Sequence, residues 1–97
     1  MTAPGADITI SVRIRGRVQG VWYRGWTEEQ AASRGLRGWV RNRRDGSVEA
    51  LFCGPTALVE EMIEACWTGP PAARVEAVEQ RPATDFAGAG FETLLTE

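Results

Sequence analysis

A chain of 97 residues with 43% hydrophobic content has room for one small packed core, which excludes wholesale disorder. A formal net charge of −2 excludes a generally basic surface of the kind that nucleic-acid binding needs. With no histidine, and with Cys53 and Cys66 outside any C-x-x-C pair, the residue set argues against a zinc site.

Residues 1–7 (MTAPGAD) hold no apolar run and read as a flexible tail rather than a secretory signal, with a single domain expected over 8–97. No apolar stretch approaches membrane-spanning length. The expected compartment is therefore the cytoplasm, where both cysteines stay free thiols. From Ile8 to Arg15, apolar and polar residues alternate strictly, which predicts a strand with one buried face. Gly16 to Gly20 breaks that period. Residues from about Tyr23 to Arg34 read as a helix. Thr27, Glu28, Glu29 and Gln30 would fill an early turn, Trp22, Trp26 and Ala31 part of an apolar face, and Gly35 a left-handed C-cap.

Strands are expected near Leu36–Asn42 and Ser47–Cys53, joined by Asp45-Gly46 in a two-residue type I′ turn. Gly54-Pro55 opens a second helix, with Pro55 in its first turn. Leu58, Val59, Met62, Ile63, Cys66 and Trp67 share one face, and Glu60, Glu61 and Glu64 the other. TGPP stops it. Ala73–Arg81 reads as a strand packed through Val75 and Val78, and Phe91–Leu95 as a last short one. The order is β-α-β-β-α-β plus a C-terminal strand. It predicts an α+β, ferredoxin-like sandwich with two helices on one face of a mostly antiparallel sheet.

All eleven basic residues are arginines, unevenly spread. Residues 1–44 carry nine against Asp7, Glu28 and Glu29, a balance of +6; residues 45–97 carry two against ten acids, a balance of −8. That allows a local positive field on a mildly acidic protein, although most of the nine read as solvated surface residues.

Two places carry chemistry. The first is GRVQGVWYR, residues 16–24: a strand, a glycine-containing loop and a helix start. Unpaired backbone N–H groups and the helix dipole suit an anion there. Gly16 and Gly20 let the backbone turn inward, and the Arg24 guanidinium can grip two phosphate oxygens at once. Neither the P-loop nor the dinucleotide glycine pattern is present, and such junctions are more often structural. The second is Asn42, whose amide both donates and accepts hydrogen bonds and so suits orienting a water, or simply ends a strand.

Taken together, these segments resemble the acylphosphatase family. Its signatures are Gly-x-Val-Gln-Gly-Val-x-Phe-Arg, and Gly-Trp-Val-x-Asn followed by Asp-Gly-Ser-Val-Glu. Here they stand as Gly16, Val18, Gln19, Gly20, Val21, Tyr23 and Arg24, then Gly38, Trp39, Val40, Asn42, Asp45, Gly46, Ser47, Val48 and Glu49. Similarity continues through CGP, the second helix and GPPAARVE to about residue 95. Tyr23 replaces the usual phenylalanine, and its hydroxyl must find a partner. Arg34 stands where the family often has an apolar residue. Trp22, Trp26, Trp39 and Trp67 read mainly as core or rim.

The resemblance implies the ferredoxin-like fold and hydrolysis of acyl phosphates to carboxylate and phosphate. It implies a phosphate-binding loop of Gly16, Arg17, Val18, Gln19, Gly20, Val21, Trp22, Tyr23 and Arg24, with Arg24 and Asn42 as the catalytic pair. It implies no metal, no cofactor and no phosphoenzyme. The partner is a small acyl phosphate, with phosphate or sulfate expected in the loop. A monomer is expected, with neither nucleic acid nor membrane as partner. Three other readings remain at this stage: an RNA-binding module, whose basic aromatic motifs are missing here; an acylphosphatase-like domain of a carbamoyl-transfer or maturation assembly; and a catalytically idle domain.

Overall fold

A computed structural model describes residues 7–84 and 87–97. The elements are β1 (Asp7–Arg17), α1 (Tyr23–Ser33), β2 (Arg37–Asn42), β3 (Val48–Pro55), α2 (Thr56–Cys66), β4 (Arg74–Pro82) and β5 (Phe91–Thr93). The sheet order is β4-β1-β3-β2-β5. β1 lies antiparallel between β3 and β4, β2 is antiparallel to β3, and β5 adds in parallel to β2. Both helices pack on the sheet and touch each other, the ferredoxin-like α+β arrangement that the chain order predicts.

Period two explains the core. Val12 and Ile14 on β1, Val40 on β2, and Val48, Ala50 and Phe52 on β3 are fully buried and meet Ala31 of α1 and Val59, Met62 and Cys66 of α2. Each large side chain so buried contributes about 1.5–3 kcal/mol. The other sheet face carries charge. Arg13 and Arg41 both face Glu49 across the ladder and both pair with it, at 3.7 and 3.0 Å.

Several boundaries differ from the sequence expectation. Of the expected tail, residues 1–6 lie outside the described residues, whereas Asp7 begins β1, opposite Pro55, and pairs with Arg37 at 2.9 Å. α1 ends at Ser33 with Arg34 as its cap, followed by Gly35 at φ +67°. The Arg34 guanidinium reaches Glu61 of α2 at 2.8 Å and the Gln30 side chain at 2.8 Å, so this departure from the family ties the two helices together. Pro55 ends β3 and precedes α2 rather than sitting in its first turn. Trp67 follows α2 and is exposed, not on its buried face.

The β2–β3 connection is also not the type I′ turn. Gly46 N–H donates to the Arg43 carbonyl at 3.1 Å, and only Gly46, at φ +92°, adopts positive φ. The turn therefore starts one residue earlier, at Arg43, and a left-handed glycine follows Asp45. Asp45 works through its carboxylate instead: Oδ1 accepts from the Ser47 N–H at 2.9 Å and from its hydroxyl at 2.5 Å.

Candidate active site

β1 does not run smoothly into the loop. Its register with β4 shifts between Arg15 and Gly16, a bulge that redirects the chain. Gly16 sits at φ +126°, and a Cβ there would run into the Arg74 carbonyl. Only glycine fits.

Beyond the bulge, side chains leave in alternating directions. Val18, Val21 and Tyr23 turn into the core. Gln19 reaches sideways, its Nε2 donating to the carbonyls of Arg43 at 2.7 Å and Ser47 at 2.9 Å. The Tyr23 hydroxyl donates to the Cys66 carbonyl at 2.6 Å, in the last turn of α2. Burial holds this phenol above its usual range and pushes the Cys66 thiol up to about 12. The loop backbone is thus pinned at several points while its own donors stay unused. Among the described residues, no N–H from Gln19 to Gly25 donates to a backbone carbonyl.

The start of α1 is equally uncompensated. Its first turn holds no acid, since Glu28 and Glu29 lie further along, and its N-cap has no side-chain hydrogen bond. The positive end of the helix therefore meets no negative group of its own. Trp22 occupies that N-cap in the left-handed region, φ +67°, ψ +25°, alone among the described non-glycine residues. Such a conformation costs about 1–3 kcal/mol. Trp22 is also 60% exposed, so it does not join the apolar face of α1.

Val18, Gln19, Gly20, Trp22, Tyr23, Arg24, Gly25, Asn42 and Thr93 line one open cavity of about 330 Å³. It brings together Arg24, Asn42 and five further residues of the predicted loop. Gly16, Arg17 and Val21 lie outside its lining: Gly16 turns the chain, Val21 anchors it, and Arg17 ends β1 exposed. Gly25 and Thr93 are additions. Thr93 was invisible in the sequence because β5 places it, in register with Val40 two residues before Asn42. Gly25 carried no signal because its role depends on where the Trp22 ring lies.

Arg24 differs from most arginines in the first half of the chain. Arg13, Arg15, Arg34, Arg37, Arg41 and Arg43 each lie within 4.0 Å of a carboxylate. A second hollow, on the open sheet face, is lined by Arg13, Arg15 and Arg81 but also by Glu49 and Glu79, which neutralise it. Arg24 has no acidic partner among the described residues. Asn42 is 9% exposed, and its carbonyl accepts from the Glu97 N–H at 3.0 Å. Its side-chain amide bonds to no other described group of the protein and borders the cavity. The arrangement offers many donors, one free guanidinium and one neutral amide, and fits a compact anion plus a water.

Comparison with known proteins gives the family. A family model, Acylphosphatase, matches residues 10–93. An acylphosphatase of Rhodospirillum rubrum is 59% identical over 83 residues, covering 86% of this chain and 91% of its own length. The structure of an acylphosphatase from Coxiella burnetii superposes with a TM-score of 0.87 at 32% identity, over 91% of this chain and 93% of that one. Full-length HypF, solved in a phosphate- and nucleotide-bound form, also reaches 0.87, but at 20% identity and over 13% of its chain, a likeness of fold alone. With the family model spanning most of the chain and close relatives bearing its name, the chain belongs to the acylphosphatase family, enzymes that hydrolyse acyl phosphates.

Proposed function

We propose that residues 8–97 act as one metal-independent catalytic unit, in which the 16–24 loop and Arg24 hold the phosphoryl group and Asn42 orients the attacking water. One observation carries this reading. The unneutralised arginine, the run of unpaired N–H groups and the unengaged amide border the same cavity.

The chemistry asks little more of the protein. Water attacks phosphorus in line, the bond from phosphorus to the carboxyl oxygen breaks, and a carboxylate leaves. A carboxylate needs no protonation to depart, so no general acid is required. The water's proton passes to a phosphoryl oxygen, giving inorganic phosphate. Charge spreads over the equatorial oxygens in the transition state, where fixed N–H donors and Arg24 stabilise it. Asn42 lowers the orientational cost of bringing the water into line. A free small-molecule substrate, a monomeric state and a cytoplasmic setting complete the proposal; two buried free cysteines suit a reducing compartment.

The test is benzoyl phosphate hydrolysis by the wild type and by Arg24→Ala and Asn42→Ala, with and without a chelator. Loss in both variants and indifference to the chelator are expected. Wild-type turnover by Arg24→Ala would sink the clamp, and strict dependence on a divalent ion would sink the metal-free scheme.

A further inference from the structure

The cavity has one apolar wall. Trp22 stands on its rim, with 60% of its surface open to solvent. The other large exposed apolar residues, Trp67 and Leu95, lie elsewhere. Tyr23 also borders the cavity, but its ring is buried in the core.

The position is poorly suited to tryptophan on structural grounds. The backbone is left-handed, which favours glycine or asparagine. It is a helix N-cap, where serine, threonine, aspartate or asparagine would bond the free N–H groups. An exposed indole gains little from burial. Three disfavoured features at one site on a cavity rim point to use rather than packing.

The ring also lies against the helix. The space where a Cβ on Gly25 would stand is taken by the indole of Trp22, so the ring lies back along the first turn of α1. It forms a flat surface beside the donors and Arg24.

We propose that Trp22 sets acyl-group specificity: the indole stacks against the acyl part of the substrate and selects aromatic over short aliphatic acyl phosphates. This rests on the function proposed above. The phosphoryl group occupies the donors, and the acyl group, joined through one bridging oxygen, extends over the rim. A flat acyl group meets the indole there; an acetyl group is too small to cover it. Stacking on this aromatic surface favours the aryl substrate by about tenfold.

The experiment compares kcat/KM for benzoyl phosphate and acetyl phosphate in the wild type, Trp22→Gly and Trp22→Phe, alongside inhibition by inorganic phosphate. Glycine suits the left-handed backbone, so that variant keeps its fold. The wild type should prefer benzoyl phosphate. Trp22→Gly should lower the benzoyl-to-acetyl ratio about tenfold, and Trp22→Phe should retain most of it. An unchanged ratio in Trp22→Gly overturns the proposal, as does a phenylalanine variant that loses as much as the glycine one. A fall in phosphate inhibition that matches the loss on benzoyl phosphate also overturns it, because the damage would then lie in the anion cradle. Absence of turnover on both substrates in the wild type would instead refute the proposed activity itself.

Discussion

The Gln19 Nε2 donates to the Arg43 carbonyl at 2.7 Å, joining the loop after β1 to the hairpin that carries Asn42. The same nitrogen also reaches the Ser47 carbonyl. One side chain thereby fixes the distance between the two halves of the site. Removing it breaks both bonds, although each carbonyl keeps a backbone donor, Gly46 N–H at Arg43 and Arg43 N–H at Ser47, so the loss is about 0.5–1.5 kcal/mol per bond. Gln19→Ala should show that loss in urea denaturation, together with a kcat at least about tenfold lower, since small misplacements of a water are expensive. Gln19→Glu should be no better, because a carboxylate oxygen would face two carbonyls. Unchanged stability in both variants would show that the hairpin holds itself.

Arg24 and Asn42 should fail differently. Arg24→Ala removes the free guanidinium and should lower kcat/KM about a thousandfold while weakening inhibition by phosphate. Asn42→Ala should lower kcat about a hundredfold and leave phosphate inhibition within about threefold, as it acts on the water. Equal losses of turnover and phosphate binding in Asn42→Ala would make it a binding residue.

Tyr23 is the sole tyrosine, so tyrosinate absorbance in the near ultraviolet reports on it alone. Burial and its bond to Cys66 keep its folded pKa above the ordinary value near 10. The neutral phenol is the favoured folded form. Its contribution to stability is full below the ordinary range and is lost as pH rises above it. The absorbance step should therefore coincide with alkaline unfolding followed by circular dichroism. A separate step before unfolding would contradict the burial. Tyr23→Phe should cost about 1 kcal/mol, the net worth of a hydrogen bond. Cys66, pushed up to about 12 by burial, should resist thiol reagents at neutral pH until the chain unfolds.

Asp45 behaves in the opposite sense. The Ser47 hydroxyl and N–H, with Arg13 and Arg15 nearby, hold its carboxyl below the usual carboxylate range. Its contribution is present above the unfolded pKa of about 4 and is lost as pH falls through the lower folded value. Thermal melts of wild type and Asp45→Asn should differ at neutral pH and converge below about pH 4. A constant difference across that range would show that the carboxylate charge is irrelevant to the turn.

Much of this architecture is local and so was readable. The alternation from Ile8 to Arg15 marks β1, and Val59, Met62, Ile63 and Cys66 fall at helical spacing along α2. Strand and helix periods are properties of neighbouring residues, and an unbroken period needs no knowledge of the rest of the chain. The pair of signatures around Arg24 and Asn42 likewise lies in contiguous text. Where a single residue decides a backbone choice, the reading slipped. Asp45-Gly46 looked like a two-residue turn because the carboxylate bond to Ser47 and the bond from Gly46 to Arg43 are matters of geometry.

Sequence alone determined the order of elements, the ferredoxin-like plan, the family and the two segments that meet at the cavity. Tertiary structure decided which arginines meet an acid and which unpaired one borders the cavity. Of the nine arginines in the first half, folding set six against acids, mostly from the second half; among the described residues Arg17, Arg24 and Arg44 have no acidic partner, and of these three Arg24 borders the cavity. It also sent the Gln19 side chain to the hairpin, stood Trp22 on the rim and brought Thr93 in from the far end of the chain. The physical reason is the same in each case. Periodicity reflects covalent neighbours, but ion pairing, exposure and the lining of a cavity depend on groups that only the packed sheet and helices bring together.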